Sequence, residues 1–347
     1  MRSDSVILRA DVEIHLHRFL MMKPKRLWLA MAVLVTALIL YNGAVQFMAR
    51  KSQQGHLLRE LSVASPTTEC VFLGNSLMEA GLDTKAFGSG WPDPNKALSA
   101  INLALGGTSP AEHSLILERA LQRVERPRYV IYGFFDDQLT SPVQGSWSDL
   151  VGNRALSYHF PKQAAHYYWP GSKLGPVELA FIGHVPMLAQ RSMLWSRVEL
   201  LRRTLGEIGL PKQKTNRYGR VQDFAALEPK DAASFQERCQ RTVRDGTDFS
   251  PPVRDIIRNA QQHGATVILL EMPLPSRHRQ VFYSSAAWQE MKSHLKSRAA
   301  EYHAVYLSAS DWIVDDKNFE DATHLDENGA QIFSRKLGAA LSGGMPN

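Results

Sequence analysis

Two cysteines in 347 residues, Cys70 and Cys239, are too few for a disulfide framework, and their spacing fits no metal site. Cys70 lies in an apolar run and is expected to be a packed thiol rather than a reactive one. No internal repeat or low-complexity tract occurs, which excludes a solenoid or an extended biased tether as the main architecture. No nucleic-acid module pattern accompanies the formal charge of +6, so neither DNA nor RNA is an expected partner. His159 and His166 are seven apart with Pro161 between them, a poor start for a metal site.

What the chain does have is 44% hydrophobic residues, enough for one sizeable α/β domain with decorations or for two small domains. Its positive charge is unevenly placed. Residues 187–220 carry Arg191, Arg197, Arg202, Arg203, Lys212, Lys214, Arg217 and Arg220 against Glu199 and Glu207. Such a window either attracts an anionic polymer or a membrane surface, or is simply a solvated helix face.

Charge is missing altogether from Leu27 to Met48, LWLAMAVLVTALILYNGAVQFM. As a helix, a run of this length spans about 30 Å of hydrocarbon. Trp28 and Tyr41 suit the interfaces, and Arg18, Lys23, Lys25 and Arg26 precede the run, with Arg50 and Lys51 after it. The upstream excess predicts a cytoplasmic segment 1–26, a transmembrane signal anchor 27–48 and an exported body, in a single pass of the cytoplasmic (inner) membrane. A cleaved signal peptide is the competing reading. Its apolar core is shorter, and Val45-Gln46-Phe47-Met48 offers no small-x-small site.

After a polar juxtamembrane connector, 49–69, strands and helices alternate. Predicted strands are Cys70–Leu73, Ser99–Leu105, Tyr129–Phe134, Ala265–Leu270 and Ala304–Leu307. Predicted helices cover 111–124, 251–263, Ala287–His303 and Leu325–Leu341. Near-continuous apolar strands separated by helices indicate a parallel sheet covered on both faces. The expectation is a flavodoxin-like three-layer α/β/α domain over 70–341, with a five-stranded parallel sheet and a largely helical insertion at 136–250. The aromatic stretch Ser157–Pro170 in that insertion either stacks on sugar rings or forms part of its core.

Ligands of open α/β sheets bind beyond the carboxyl ends of the strands. Gly74-Asn75-Ser76 follows the first strand, Gly106-Gly107-Thr108 the second, and Asp136-Asp137-Gln138 comes just past the third. Asp321-Ala322-Thr323-His324 precedes the last helix. A serine hydroxyl needs a base to become a nucleophile, and histidine suits that task near neutral pH. The histidine needs an acceptor on its other nitrogen, and Asp321 is three residues from His324. Ser76 N–H and Gly107 N–H are candidate donors to an oxyanion. Each feature also has a plain structural reading: Ser76 as a helix cap, Asp321 as a turn former, His324 as a surface histidine, Gly107 as turn chemistry, Asp136 and Asp137 as solvated loop charges. The Gly-x-Ser-x-Gly elbow of α/β-hydrolases is absent around Ser76.

In these blocks the chain resembles the SGNH, or GDSL-like, hydrolase superfamily. Gly74-Asn75-Ser76 matches its first block, "NLALGG" from Asn102 to Gly107 its second, and "DATHLDENGA" its Asp-x-x-His block with the step into the final helix. The matches run in order and span residues 70–341 apart from the insertion. The "NLALGGTSPAE" stretch, the insertion and the anchor further resemble the branch of alginate-type O-acetylation and teichoic-acid D-alanyl transfer proteins. The resemblance implies a serine acyl esterase or O-acetyltransferase acting on a cell-envelope or exported polysaccharide, with Ser76 as nucleophile, His324 as base, Asp321 as its orienter, and no cofactor or metal. Implied partners are an acylated polysaccharide or small acyl ester, and membrane proteins of a polysaccharide acetylation system. The rival expectation is an inactive scaffold of the same fold that binds polysaccharide or partner subunits through the basic insertion.

One block departs from the pattern. Where the family usually places an oxyanion-binding asparagine, this chain has "GFFDDQ", with Asp136 and Asp137. An ionised carboxylate cannot donate a hydrogen bond, and losing one such donor costs about 3–4 kcal/mol. Gln138 or another amide is one substitute. A carboxyl kept protonated by burial is a second. A site adapted to transfer, with Asp137 on the substrate, is the third. Asn75 is a further candidate for substrate contact.

Overall fold

The computed structural model describes residues 24–50, 53–93, 97–142, 161–185, 188, 202 and 229–343. Five strands, β1 (Cys70–Gly74), β2 (Ala100–Asn102), β3 (Tyr129–Phe134), β4 (Thr266–Glu271) and β5 (Val305–Ser308), run parallel in the order β2-β1-β3-β4-β5. Helices α1 (Pro24–Arg50) and α2 (Gln53–Val63) precede β1, and α3 (Ser76–Gly81) and α4 (Thr84–Ser89) follow it. Helix α5 (Pro110–Leu121) leads to β3. Then come α6 (Pro161–Tyr168), α7 (Gly175–Gly183), α8 (Pro229–Arg244) and α9 (Pro251–Gln262), with α10 (Ala286–Glu301) between β4 and β5 and α11 (Glu327–Ser342) at the end.

Side chains alternate along a strand, so register assigns the helices to layers. Phe72 meets Phe87 of α4 edge-on at 5.2 Å, while Tyr132, paired with the next residue, Leu73, lies 5.4 Å from His113 of α5. Helices α4 and α5 therefore cover opposite faces. Helix α11 packs on α3 and α4, and α9 packs on α5, which gives the expected three-layer α/β/α architecture. Strands β1 and β3 are buried along their whole length, as their unbroken apolar runs require.

The predicted second strand is shortened. Instead of Ser99–Leu105, regular pairing stops at Asn102, whose Oδ1 accepts the Ala104 N–H at 3.1 Å and bends the chain. Leu103 and Leu105 still donate to Phe72 and Gly74 of β1. The order reverses between β1's two neighbours, and the carboxyl ends of strands at such a switch point are where ligands of open α/β sheets bind.

Leu27–Met48 lies within α1, a helix long and apolar enough to cross a membrane by length and composition. The described parts of 136–250 include helices α6, α7 and α8, joined to turns and coil. Arg18, Lys23 and Ser157–Phe160 lie outside the described residues, as does the basic window 187–220 apart from Leu188 and Arg202.

Candidate active site

Two facing glycines set the geometry beyond β1. Gly74 has φ +151°, and a Cβ there would sit 2.8 Å from the Gly133 carbonyl oxygen and 2.9 Å from Met78 Cβ. Gly133, its register partner on β3, leaves no room either: a Cβ would meet Met78 Cε at 2.6 Å. With neither Cβ present, Met78 seats α3 directly on the sheet. Asn75 caps that helix, its Oδ1 accepting the Leu77 N–H at 2.9 Å, and Ser76 is the first helical residue.

The Ser76 hydroxyl lies 2.8 Å from His324 Nε2. His324 Nδ1 is 2.9 Å from both carboxylate oxygens of Asp321. Nδ1–H therefore donates to Asp321, which leaves Nε2 as the acceptor for the serine proton. Asp321 and His324 are 3% and 2% exposed, so the arrangement is closed to competing water on that side. Burial alone would raise the Asp321 pKa. The hydrogen bond from His324 and those from the backbone N–H groups of Thr323 and His324 outweigh it and hold the carboxyl well below the usual carboxylate range.

The loop carrying Asp321 and His324 is tied at both ends. Glu320 N–H donates to the His324 carbonyl at 2.8 Å, Phe319 and Leu325 form an antiparallel bridge, and Asp326 N–H donates to Asn318. Asp326 then caps α11 through Gly329 N–H. Asp316, one turn upstream, accepts from Ser276 N–H at 2.8 Å and from the Ser276 hydroxyl, which fastens the loop to the segment after β4.

Gly107 stands exposed in the turn after β2 at φ +73°, a conformation that favours glycine, and its Cβ position faces open space. Its neighbour Gly106 donates its N–H to Glu79 of α3 at 2.8 Å.

The three residues beyond β3 are engaged elsewhere. Asp136 adopts φ +51° and accepts from His278 Nε2 at 2.9 Å, and its N–H donates to the Tyr283 hydroxyl at 2.9 Å. Asp137 pairs with Arg238 of α8 at 2.8 Å. Gln138 takes the Asn75 amide on Oε1 at 3.2 Å and turns Nε2 toward the Tyr132 hydroxyl at 3.5 Å. The residue contacts that sequence reasoning missed are these fasteners: Glu79, His113, Arg238, His278 and Tyr283. His113 carried a signal, since it is a polar residue on the apolar face of α5. The others sit at ordinary helical positions, His278 and Tyr283 in the short helical segments Ser276–His278 and Arg279–Tyr283, far from their partners along the chain, and carry none.

No protein-family model and no curated protein matches this sequence. Among solved structures, the chain is similar to a Streptococcus pneumonia protein provisionally described as a platelet activating factor, at 13% identity and TM-score 0.38, over 90% of this chain and 98% of that one. It is also similar to a Bacteroides fragilis protein provisionally described as an acylhydrolase, at 10% identity and TM-score 0.37, over 84% and 95%. Likenesses at this level say nothing about chemistry.

Proposed function

We propose that the chain is a membrane-anchored serine acyl esterase or O-acyltransferase of SGNH-like type. The observation that carries this reading is the continuous row Ser76 Oγ, His324 Nε2, His324 Nδ1, Asp321, with 2.8 Å and 2.9 Å between partners, at the carboxyl edge of a parallel sheet. Serine oxygen attacks the acyl carbon while its proton passes to His324 Nε2. The ionised Asp321 stabilises the imidazolium without taking its proton. The tetrahedral oxyanion is held by Ser76 N–H at the start of α3 and by Gly107 N–H. Collapse expels the alcohol, which leaves with the proton from His324, and an acyl-serine remains. Water or a sugar hydroxyl then gives its proton to His324 and attacks the acyl-serine, and the serine oxygen recovers a proton as it leaves.

Asp136 accepts a hydrogen bond from His278 and Asp137 pairs with Arg238, so each carboxylate is engaged by a partner of its own. A small acyl group such as acetyl, and an exported polysaccharide as its carrier, follow from the resemblance and from the Leu27–Met48 helix. The test is turnover of a small acetyl ester by the detergent-solubilised full chain, against Ser76→Ala. The serine variant is expected to lose activity by roughly 10⁴–10⁶. Equal rates for the two proteins would remove the catalytic reading and leave the scaffold. Turnover that rises on adding oligosaccharide marks transfer; turnover indifferent to it marks hydrolysis. Protease access to the body from one side of sealed vesicles tests the orientation.

A further inference from the structure

A row of hydrogen bonds runs beneath this site, and its polarity is forced from both ends. At one end, Leu77 N–H, a donor only, occupies Asn75 Oδ1. Asn75 Nδ2 therefore faces Gln138, which must present Oε1 to it at 3.2 Å. That choice turns Gln138 Nε2 toward the Tyr132 oxygen, the longest link at 3.5 Å. At the other end, the Thr108 hydroxyl donates to the Leu105 carbonyl, which only accepts. Thr108 Oγ1 then accepts from His113 Nε2–H at 2.7 Å, so His113 Nδ1 is an acceptor. The Tyr132 O–H donates to it at 3.0 Å, and the two halves meet with no conflict. His113 and Tyr132 are both fully buried, and burial lowers the His113 pKa to about 3, so its imidazole is neutral as the row requires.

The row joins two pieces of backbone that must hold a fixed separation if they are to grip one oxyanion. One is the cap and first turn of α3, carrying Ser76. The other is the turn Gly106–Thr108. The Glu79 carboxylate on Gly106 N–H is a parallel strut between the same two pieces. We propose that the relay Asn75–Gln138–Tyr132–His113–Thr108 positions the Gly107 turn against Ser76, so that Gln138, Tyr132 and His113 are positioning residues of the reacting site. The inference rests on the ester chemistry proposed above. Buried polar rows of this kind are stiff when every member is satisfied, and fail as units when one member is lost.

Failing as a unit is what the experiment reads. Tyr132→Phe removes one hydroxyl and keeps the ring; Gln138→Met removes the amide at a half-buried link. Each is expected to lower kcat about tenfold with KM little changed, as the loss of one or two hydrogen bonds allows. The double variant is expected to be no slower than either single one, because a broken row is not broken twice. His113→Gln, whose amide both donates and accepts, is expected to retain more activity than His113→Leu. A second readout needs no turnover: hydrogen exchange of the peptide 104–109 is expected to quicken in Tyr132→Phe and in Gln138→Met. Additive losses, unchanged kcat, or unchanged exchange would overturn the relay. If wild type and Ser76→Ala turn over ester equally, the ester reading falls, and the exchange measurement still decides whether the row holds the turn. Should Tyr132→Phe fail to fold, Gln138→Met alone carries the test.

Discussion

Among the described residues two aspartate–histidine pairs, one buried and one with a half-buried aspartate, differ in what the second ring nitrogen meets. In the loop before α11, Asp321 takes His324 Nδ1, and Nε2 faces the Ser76 hydroxyl at 2.8 Å. Beyond β3, Asp136 takes His278 Nε2 at 2.9 Å, while His278 Nδ1 is buried with no hydrogen-bond partner among the described residues. That ring is packed 4.6 Å from Phe282 and 5.4 Å from Tyr283. One pair passes its polarity outward to the Ser76 hydroxyl; the other spends it on holding the segment beyond β3. An aspartate behind a histidine does not make a base. The group in front of the ring decides.

The largest expected effects separate the two histidines. His324→Gln is expected to lower kcat for a small ester by roughly 10⁴–10⁶, whereas His278→Gln leaves it within roughly tenfold, measured by steady-state kinetics. Comparable losses in both would erase the distinction. The aspartates come next. Asp321→Asn is expected to cost about 10⁴ in kcat, because the amide lets the wrong tautomer face Ser76. Asp136→Asn keeps an acceptor for His278 and a residue tolerant of positive φ, so its turnover is expected to stay close to wild type.

A smaller effect tests the loop role of the second pair. A β-branched side chain resists φ +51°, so Asp136→Val is expected to destabilise by about 1–3 kcal/mol in denaturant unfolding, more than Asp136→Asn. The smallest effect is in pH. The Asp321 pKa is lowered in the folded chain, so its stabilisation is complete above the ordinary carboxylate range near about 4 and fades as pH falls toward the lower folded value. Thermal midpoints measured from pH 7 down to pH 3 are expected to fall less steeply in Asp321→Asn than in wild type.

Local signals made the sheet readable. Apolar runs predicted β1, β3, β4 and β5 to within a residue at each end, because strands buried on both faces have no polar positions to confuse the pattern. Helix α5 was readable from its period, and its start has a capping box between Ser109 and Glu112. The end of β2 was misread because "SAINLAL" has the composition of a strand, while the bond from Ala104 N–H to Asn102 is a choice of conformation. Gly74-Asn75-Ser76 stood out because each residue is tied to its own backbone state. Asp321 and His324 stood out because their pairing is local, three residues apart.

The sequence by itself determined the layer order of the domain, the charge-free Leu27–Met48 run, and the residue types available at each strand end, since all of these depend on neighbours along the chain. Only the tertiary structure decided which partner each of those residues takes. Asp136 and Asp137, read as an oxyanion problem, are turned aside by His278 and Arg238, which lie 142 and 101 positions away. Ser76 and His324 are 248 positions apart, and only packing of α11 directly against α3 brings them within a hydrogen bond. Side-chain period is a one-dimensional property that a chain carries from end to end. Hydrogen-bond choice is made among groups that the fold has already brought together.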